Sequence, residues 1–187
     1  MGELAVNLSD ILSHGWIDTA RFIPSIIVRL AMTQKARQWG ERTVTVSFCE
    51  SIDLEPETLA VTIRWNVADL DEAVGYNRFR DELRKLRNSQ AEQDITELAA
   101  LGIAFSLVRI LLPTDEITKV VPLGGRGDYY LNGRRDEMIE MSGTLKGDLN
   151  ARFFEKRAQI LKNNRLIRAF VCVVRFDSAE ARLERVR

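Results

Sequence analysis

Two carboxylates in one short stretch carry most of the chemistry to be expected of this chain. From Gly127 to Thr144 the sequence reads GDYYLNGRRDEMIEMSGT, with Asp128 opening one strand-like run and Glu140 near the end of the next. Asn132-Gly133 between them is a hairpin-turn dipeptide. Residues two apart in a strand share a face, so Asp128 lies with Tyr130, while Met138, Glu140 and Ser142 form one row. A tight turn then brings both acids within reach of a common ion. Mg²⁺ is the natural candidate, because it takes few protein carboxylates and keeps waters for a substrate phosphate. The chemistry would be activation of water and stabilisation of charge on a phosphate being cleaved. Each acid also has a plainer role. Asp128 can be a turn acid after Gly-Arg-Gly, and Glu140, costly inside an apolar strand unless paired, can be the partner of Arg126 or Lys156.

The elements that must position these acids can be read from periodicity and punctuation. Residues 92–112 form a long apolar helix ended by Pro113, in which Gly102 allows close packing. A strand at 117–123 follows, then the loop Gly124-Gly125-Arg126-Gly127, then strands at 128–131 and 137–141. Asp148 caps a helix running to Lys162, and the continuous apolar run 167–176 reads as a central, doubly covered strand. The order is helix, strand, strand, strand, helix, strand. Ahead of it, residues 16–39 suggest a helix bent at Pro24, residues 43–49 and 59–67 a β-hairpin, and residues 69–87 one charged helix. The tail, 178–187, reads as a short amphipathic helix. The expected class is mixed α/β (α+β). A three-layer-like core at 91–187 is preceded by a helical and β-hairpin extension at 1–90 that packs on it.

Asp128 in Gly127-Asp128-Tyr129 and Glu140-Met141-Ser142, in that order of elements, resemble the PD-(D/E)XK nuclease superfamily over residues 92–176. That fold places an Asp on its second core strand and Glu-x-Lys on its third. The resemblance implies a Glu on the first core helix, matched by Glu97, and a Gln or Lys on the second, matched by Lys156 and Gln159. It implies a Mg²⁺-dependent nuclease-like phosphodiesterase acting on DNA or RNA, with Asp128 and Glu140 as metal ligands and Glu97 as an auxiliary one. Ser142 stands where the family has lysine, and a hydroxyl supplies no charge to the transition state. Arg152, Lys156 and Gln159 share one helix face, so Lys156 is the expected substitute in the catalytic set, with Lys146 a second candidate. Arg126, Lys146, Arg152, Lys156 and Gln159 are the expected nucleic-acid contacts. The alternative is a nuclease-type fold without activity, an interaction module of a larger assembly that docks through its N-terminal helix and hairpin.

Composition narrows the remaining classes. Lys+Arg and Asp+Glu both number 27, so the global field favours no partner, although basic residues cluster around the second helix. His14 is the only histidine and no Cys/His cluster has zinc spacing, which leaves little room for triad or zinc chemistry. Cys49 and Cys172 sit in strand-like runs and are expected to be buried thiols. The glycine loop before Asp128 lacks the Lys-Ser/Thr of a P-loop. The N-terminus carries acids and no basic region, so no signal peptide is expected, and no segment has the length of a membrane span. The expected location is cytoplasmic. A protein partner or homo-oligomer is compatible with all of this.

Overall fold

The structure is a computed structural model and describes residues 4–12, 15, 17–33, 35–89, 92–121 and 128–187. The chain is a mixed α/β protein, with five α-helices and one eight-stranded mixed sheet among the described residues. In chain order the elements are β1 (Leu4–Asn7), α1 (Ile23–Leu30), β2 (Trp39–Cys49), β3 (Glu57–Asn66), α2 (Val67–Val74), α3 (Arg78–Ser89), α4 (Glu92–Leu111), β4 (Ile117–Val120), β5 (Tyr129–Leu131), β6 (Arg134–Thr144), α5 (Leu149–Leu161), β7 (Arg168–Arg175) and β8 (Glu180–Arg185). No helix among the described residues is long and apolar enough to cross a membrane.

The strands lie in the order β1-β3-β2-β8-β7-β6-β5-β4. From the β4 edge, β4, β5 and β6 form an antiparallel meander, and β7 then joins β6 in parallel. That parallel step needs a crossover, and α5 supplies it. The larger core lies on one face of the sheet, where Ala99, Ile103 and Leu107 of α4 meet Ile139, Met141, Phe170 and Cys172. The smaller core lies on the other face, where Phe153 and Ile160 of α5 meet Met138, Val171 and Val173. Alternate residues of β6 therefore face different helices, and Glu140 and Ser142 belong to the α5 side.

Three features depart from the sequence reading. The tail is the strand β8, not a helix. Ala181 and Leu183 are buried while Arg182 and Glu184 point the other way, a period of two that closes the gap between β7 and β2. Through β8 the N-terminal hairpin continues the same sheet. The helix expected over 16–39 is confined to Ile23–Leu30, with Pro24 in its first turn, where the missing N–H costs nothing. Residues 69–87 are not one helix: Gly75, at φ 78°, ends α2 in the left-handed conformation before α3 begins.

The β5–β6 turn is the one expected from Asn132-Gly133, both at positive φ (53° and 70°). Its consequence is not. Leu131 pairs with Arg134, and an unbroken ladder would set Tyr130 against Arg135; Tyr130 instead meets Met138, and Tyr129 meets Ile139. Strand β6 thus carries a bulge at Arg135, Asp136 and Glu137. Without the bulge Asp128 would face Glu137; with it, the position after Tyr129↔Ile139 sets Asp128 opposite Glu140.

A network of side chains holds the bulge. Glu137 is buried and lies beside Arg168 of β7 (3.6 Å), accepts from Asn132 (3.2 Å) and pairs with Arg134 (3.1 Å). Arg168 also grips the carboxylate of Asp115 with both ends of its guanidinium, at 2.7 Å for Nη2–Oδ2. Asn132 donates to that same carboxylate at 2.7 Å. Burial raises the Asp115 carboxyl, but the hydrogen bonds from Arg168 and Asn132 outweigh it and hold the group below its ordinary range. Replacing Arg168 by methionine strands two buried acids, which is expected to cost about 3 kcal/mol of stability. It is also expected to speed amide hydrogen exchange across residues 134–141 beyond the global change. Unchanged exchange there would show that the network does not hold the bulge.

Candidate functional site

The site lies where β5, β6, α4 and α5 meet. Asp128, just ahead of β5, is held by backbone on both sides: its N–H donates to Ile139 O at 3.1 Å and its C=O accepts from Val121 N at 2.9 Å. Its carboxylate Oδ2 accepts from Met141 N at 2.7 Å, so a β6 amide fixes the side chain. Glu140 is fully buried and accepts from Lys156 Nζ through Oε1 at 2.7 Å. Its other oxygen, Oε2, is buried with no hydrogen-bond partner.

Ser142, two residues along the same row, is not idle. Its hydroxyl accepts from Arg152 Nε at 3.0 Å and faces both oxygens of Glu97 at 3.4 Å. Glu97 also accepts from Gly143 N at 3.0 Å and pairs with Arg152 at 3.5 Å. Gly143 permits this contact: a Cβ there would lie 2.7 Å from Thr96 O and 2.8 Å from Ala100 Cβ, so only glycine lets α4 approach this part of β6.

Helix α5 presents the cations because its start and its packing are both fixed. Asp148 caps it, accepting from Asn150 N at 2.8 Å and Ala151 N at 3.1 Å, as its sequence suggests. Phe153 is sealed into the minor core under the Arg182 guanidinium, 3.9 Å from its ring, and Arg182 also donates to Asn150 at 2.8 Å. The face four residues apart then turns Arg152 and Lys156 onto Ser142 and Glu140. A cleft of about 510 Å³ opens beside Arg152, with Glu97, Gly143 and Glu155 among its walls; Asp128, Glu140 and Lys156 do not line it.

The expected residues are thus divided. Glu97, Asp128, Glu140, Ser142, Arg152 and Lys156 come together. Gln159 is exposed at the margin, 3.4 Å from Lys156 Nζ. Lys146 is exposed and lines a different depression with Arg175 and Glu180. Arg126, His14 and the glycine loop lie outside the described residues. Of the two adjacent tyrosines, Tyr129 is buried against Phe105 and Tyr130 half-buried. Cys49 and Cys172 are free buried thiols, and burial pushes Cys172 up to about 12. The Ser142–Arg152 contact and the Asp115–Arg168 network had no signal in the sequence, since both join residues by tertiary packing alone.

Among the described residues, three carboxylates face two cations here. Burial pushes the Asp128 carboxyl above its ordinary value; the Met141 amide and Lys156 oppose this, and Glu97 adds to it. Burial also raises Glu140, Asp128 adds its repulsion, and Lys156 and Arg152 pull the other way. Each acid is raised by burial and by a neighbouring carboxylate, and a partnerless buried oxygen lies on Glu140; a hard cation would relieve these conditions. Among the described residues no three His, Cys, Asp or Glu side chains gather as a metal-holding group. Asp128 and Glu140 are the two side chains that could hold such an ion, with its remaining positions left to water or substrate. Comparisons of the chain with protein-family models, curated proteins and solved structures returned no match.

The raised carboxyls have a consequence for stability. A native acid with a raised pKa binds its proton more tightly than the unfolded chain does, so its stability contribution is complete at low pH and is lost as pH climbs through the raised value. Asp128→Asn keeps an acceptor for the Met141 amide and removes that loss. In chelator-containing buffer at about pH 7.5 it is expected to raise Tm by about 2–4 °C. At about pH 3.5, below the ordinary carboxylate value, the difference should vanish. A Tm lower than that of the native protein at neutral pH would mean that the Asp128 charge is satisfied without a cation.

Proposed function

We propose that this protein is a Mg²⁺-dependent phosphodiesterase of nuclease type, acting on nucleic acid. The observation that carries the reading is Asp128, just ahead of β5, set opposite Glu140 of β6, with the Lys156 amine of α5 on Glu140 and the Arg152 guanidinium on Ser142. The order of elements supports it too. Helix α4, the β4–β5–β6 meander, crossover helix α5 and parallel strand β7 follow the helix, three strands, helix and strand of the PD-(D/E)XK core.

Asp128 and Glu140 would hold the cation, which supplies Lewis acidity toward a phosphate oxygen and a more acidic water. The chain's own residues do the rest. The Met141 amide fixes the Asp128 carboxylate, leaving its second oxygen for the ion. Lys156 brings positive charge to the α5 side of Glu140, where it can offset charge on the phosphate as water attacks phosphorus and the bond to the leaving oxygen breaks. Arg152, fixed by Ser142 and Glu97, borders the cleft and offers its guanidinium to a phosphate oxygen. Glu97 orients Arg152 and braces the β6 backbone.

A second reading has its own support. On the α5 side of the sheet, Thr43, Thr45, Thr58 and Ala60 of β2 and β3 are exposed, leaving an uncovered hydroxyl-rich face. Ile52 and Leu54 at the hairpin tip are exposed as well. Such surfaces suit an inactive nuclease-type subunit that docks on another protein.

Cleavage of plasmid, single-stranded DNA and RNA separates the two. With Mg²⁺ or Mn²⁺ the protein is expected to cut at least one of them. Asp128→Ala should lose activity by about 10²-fold or more, and chelator should abolish it. No cleavage of any substrate, or equal rates for Asp128→Ala, would overturn the enzyme reading in favour of the docking subunit.

A further inference from the structure

Lys156 reaches Glu140 at 2.7 Å, and the two side chains are only 15% and 1% exposed. This is an unusual use of a lysine. Its ammonium stands against the carboxylate that a divalent cation would need, and its charge also acts on Asp128. We propose that Lys156 is a resident placeholder for the cation: its ammonium neutralises Glu140 in the metal-free protein and withdraws when a hard divalent cation binds. The inference rests on the proposed metal site and concerns how that site is filled.

Four observations support the exchange. Two acids set opposite each other by the β6 bulge cannot both remain charged in a buried place without a cation near them. Lys156 supplies one charge, but among the described residues it and Arg152 still leave two cations against Glu97, Asp128 and Glu140, so that set retains capacity for a further positive charge. The ammonium satisfies only Oε1, and Oε2 stays buried without a hydrogen-bond partner. A second acceptor for the ammonium is already within reach. Gln159 Oε1, one turn along α5 at the exposed margin, lies 3.4 Å from Nζ, and a flexible four-carbon stem reaches either acceptor. In contrast, Arg152 is tied by Ser142, Glu97 and Glu155 and has no comparable freedom.

Competition of this kind weakens metal binding in the native chain and stabilises the metal-free fold. A lysine that only braces the fold would not be replaceable by a metal. The test is calorimetric titration of Mn²⁺, and of Mg²⁺, into the native protein, Lys156→Met, Lys156→Gln and Asp128→Asn, with Tm recorded in chelator and in saturating Mn²⁺. Both Lys156 variants are expected to bind Mn²⁺ about tenfold or more tightly than the native chain. Both should melt lower than native in chelator and recover most of that loss in Mn²⁺. Lys156→Gln retains a donor to Glu140 and serves if the methionine variant fails to fold without metal. Native binding that is lost in Asp128→Asn but equal or weaker in the Lys156 variants would overturn the placeholder and leave the metal site standing. No saturable binding by any form would overturn both.

Discussion

The bulge in β6 is the constraint on which the site depends. Asn132-Gly133 sets a two-residue turn, and that turn alone would align Asp128 with Glu137. Arg135 to Glu137 interrupt the ladder and shift the register, so that Glu140 faces Asp128 instead. A bulge needs anchoring, because its extra residues leave the ladder and its backbone must find other partners. Arg168 supplies the anchor. It joins Asp115, which follows α4, to Glu137 in the bulge, while Asn132 ties the turn to the same two acids. The chain thus places one pair of acids by compensating another pair completely. Asp115 is pulled below its ordinary range, whereas Asp128 and Glu140 are pushed above theirs.

That contrast sets two kinds of buried charge apart in this molecule. Asp115 is matched by planar, bidentate hydrogen bonding from Arg168, with Glu137 alongside, and the group has the character of a fastening. The Asp128/Glu140 pair is under-compensated: one amide, one ammonium and one oxygen left with nothing. Buried groups left in that state cluster at sites where charge is meant to change. The surroundings show how this is maintained. Gly143 lets α4 bring Glu97 onto the strand, Arg152 is then held by Glu97 and Ser142, and the capped start of α5 sets Lys156 one turn further along. Serine at 142 is consistent with this division, since a lysine there would compete with Arg152 for the space beside Glu97.

What the sequence conveyed was local. The Asn132-Gly133 turn, the Asp148 cap, the apolar run of β7 and the hairpin of β2 and β3 were all readable, because each is decided by residues close in the chain. Those signals alone brought Asp128 and Glu140 together; Glu97 joined them only through the family resemblance, and Lys156 through it or as a partner for Glu140. The bulge could not be seen, since it depends on Arg168 and Asp115, far from the turn in sequence. The tail was misread for a related reason. Ala181 to Glu184 is too short for periodicity to decide, and the open slot between β7 and β2 made it a strand. Residues 69–87 carry helical residue types throughout, and only the left-handed Gly75 divides them.

The central claim is that the bulge builds a cation site from Asp128 and Glu140, and its most direct test is crystallographic. Crystals soaked in Mn²⁺ and measured near the manganese absorption edge would locate the ion by its anomalous signal. The account predicts a peak between the carboxylates of Asp128 and Glu140, at about 2.0–2.2 Å from an oxygen of each, with Tyr130 still opposite Met138. An anomalous peak elsewhere, no peak at all, or a register that sets Asp128 against Glu137 would contradict it.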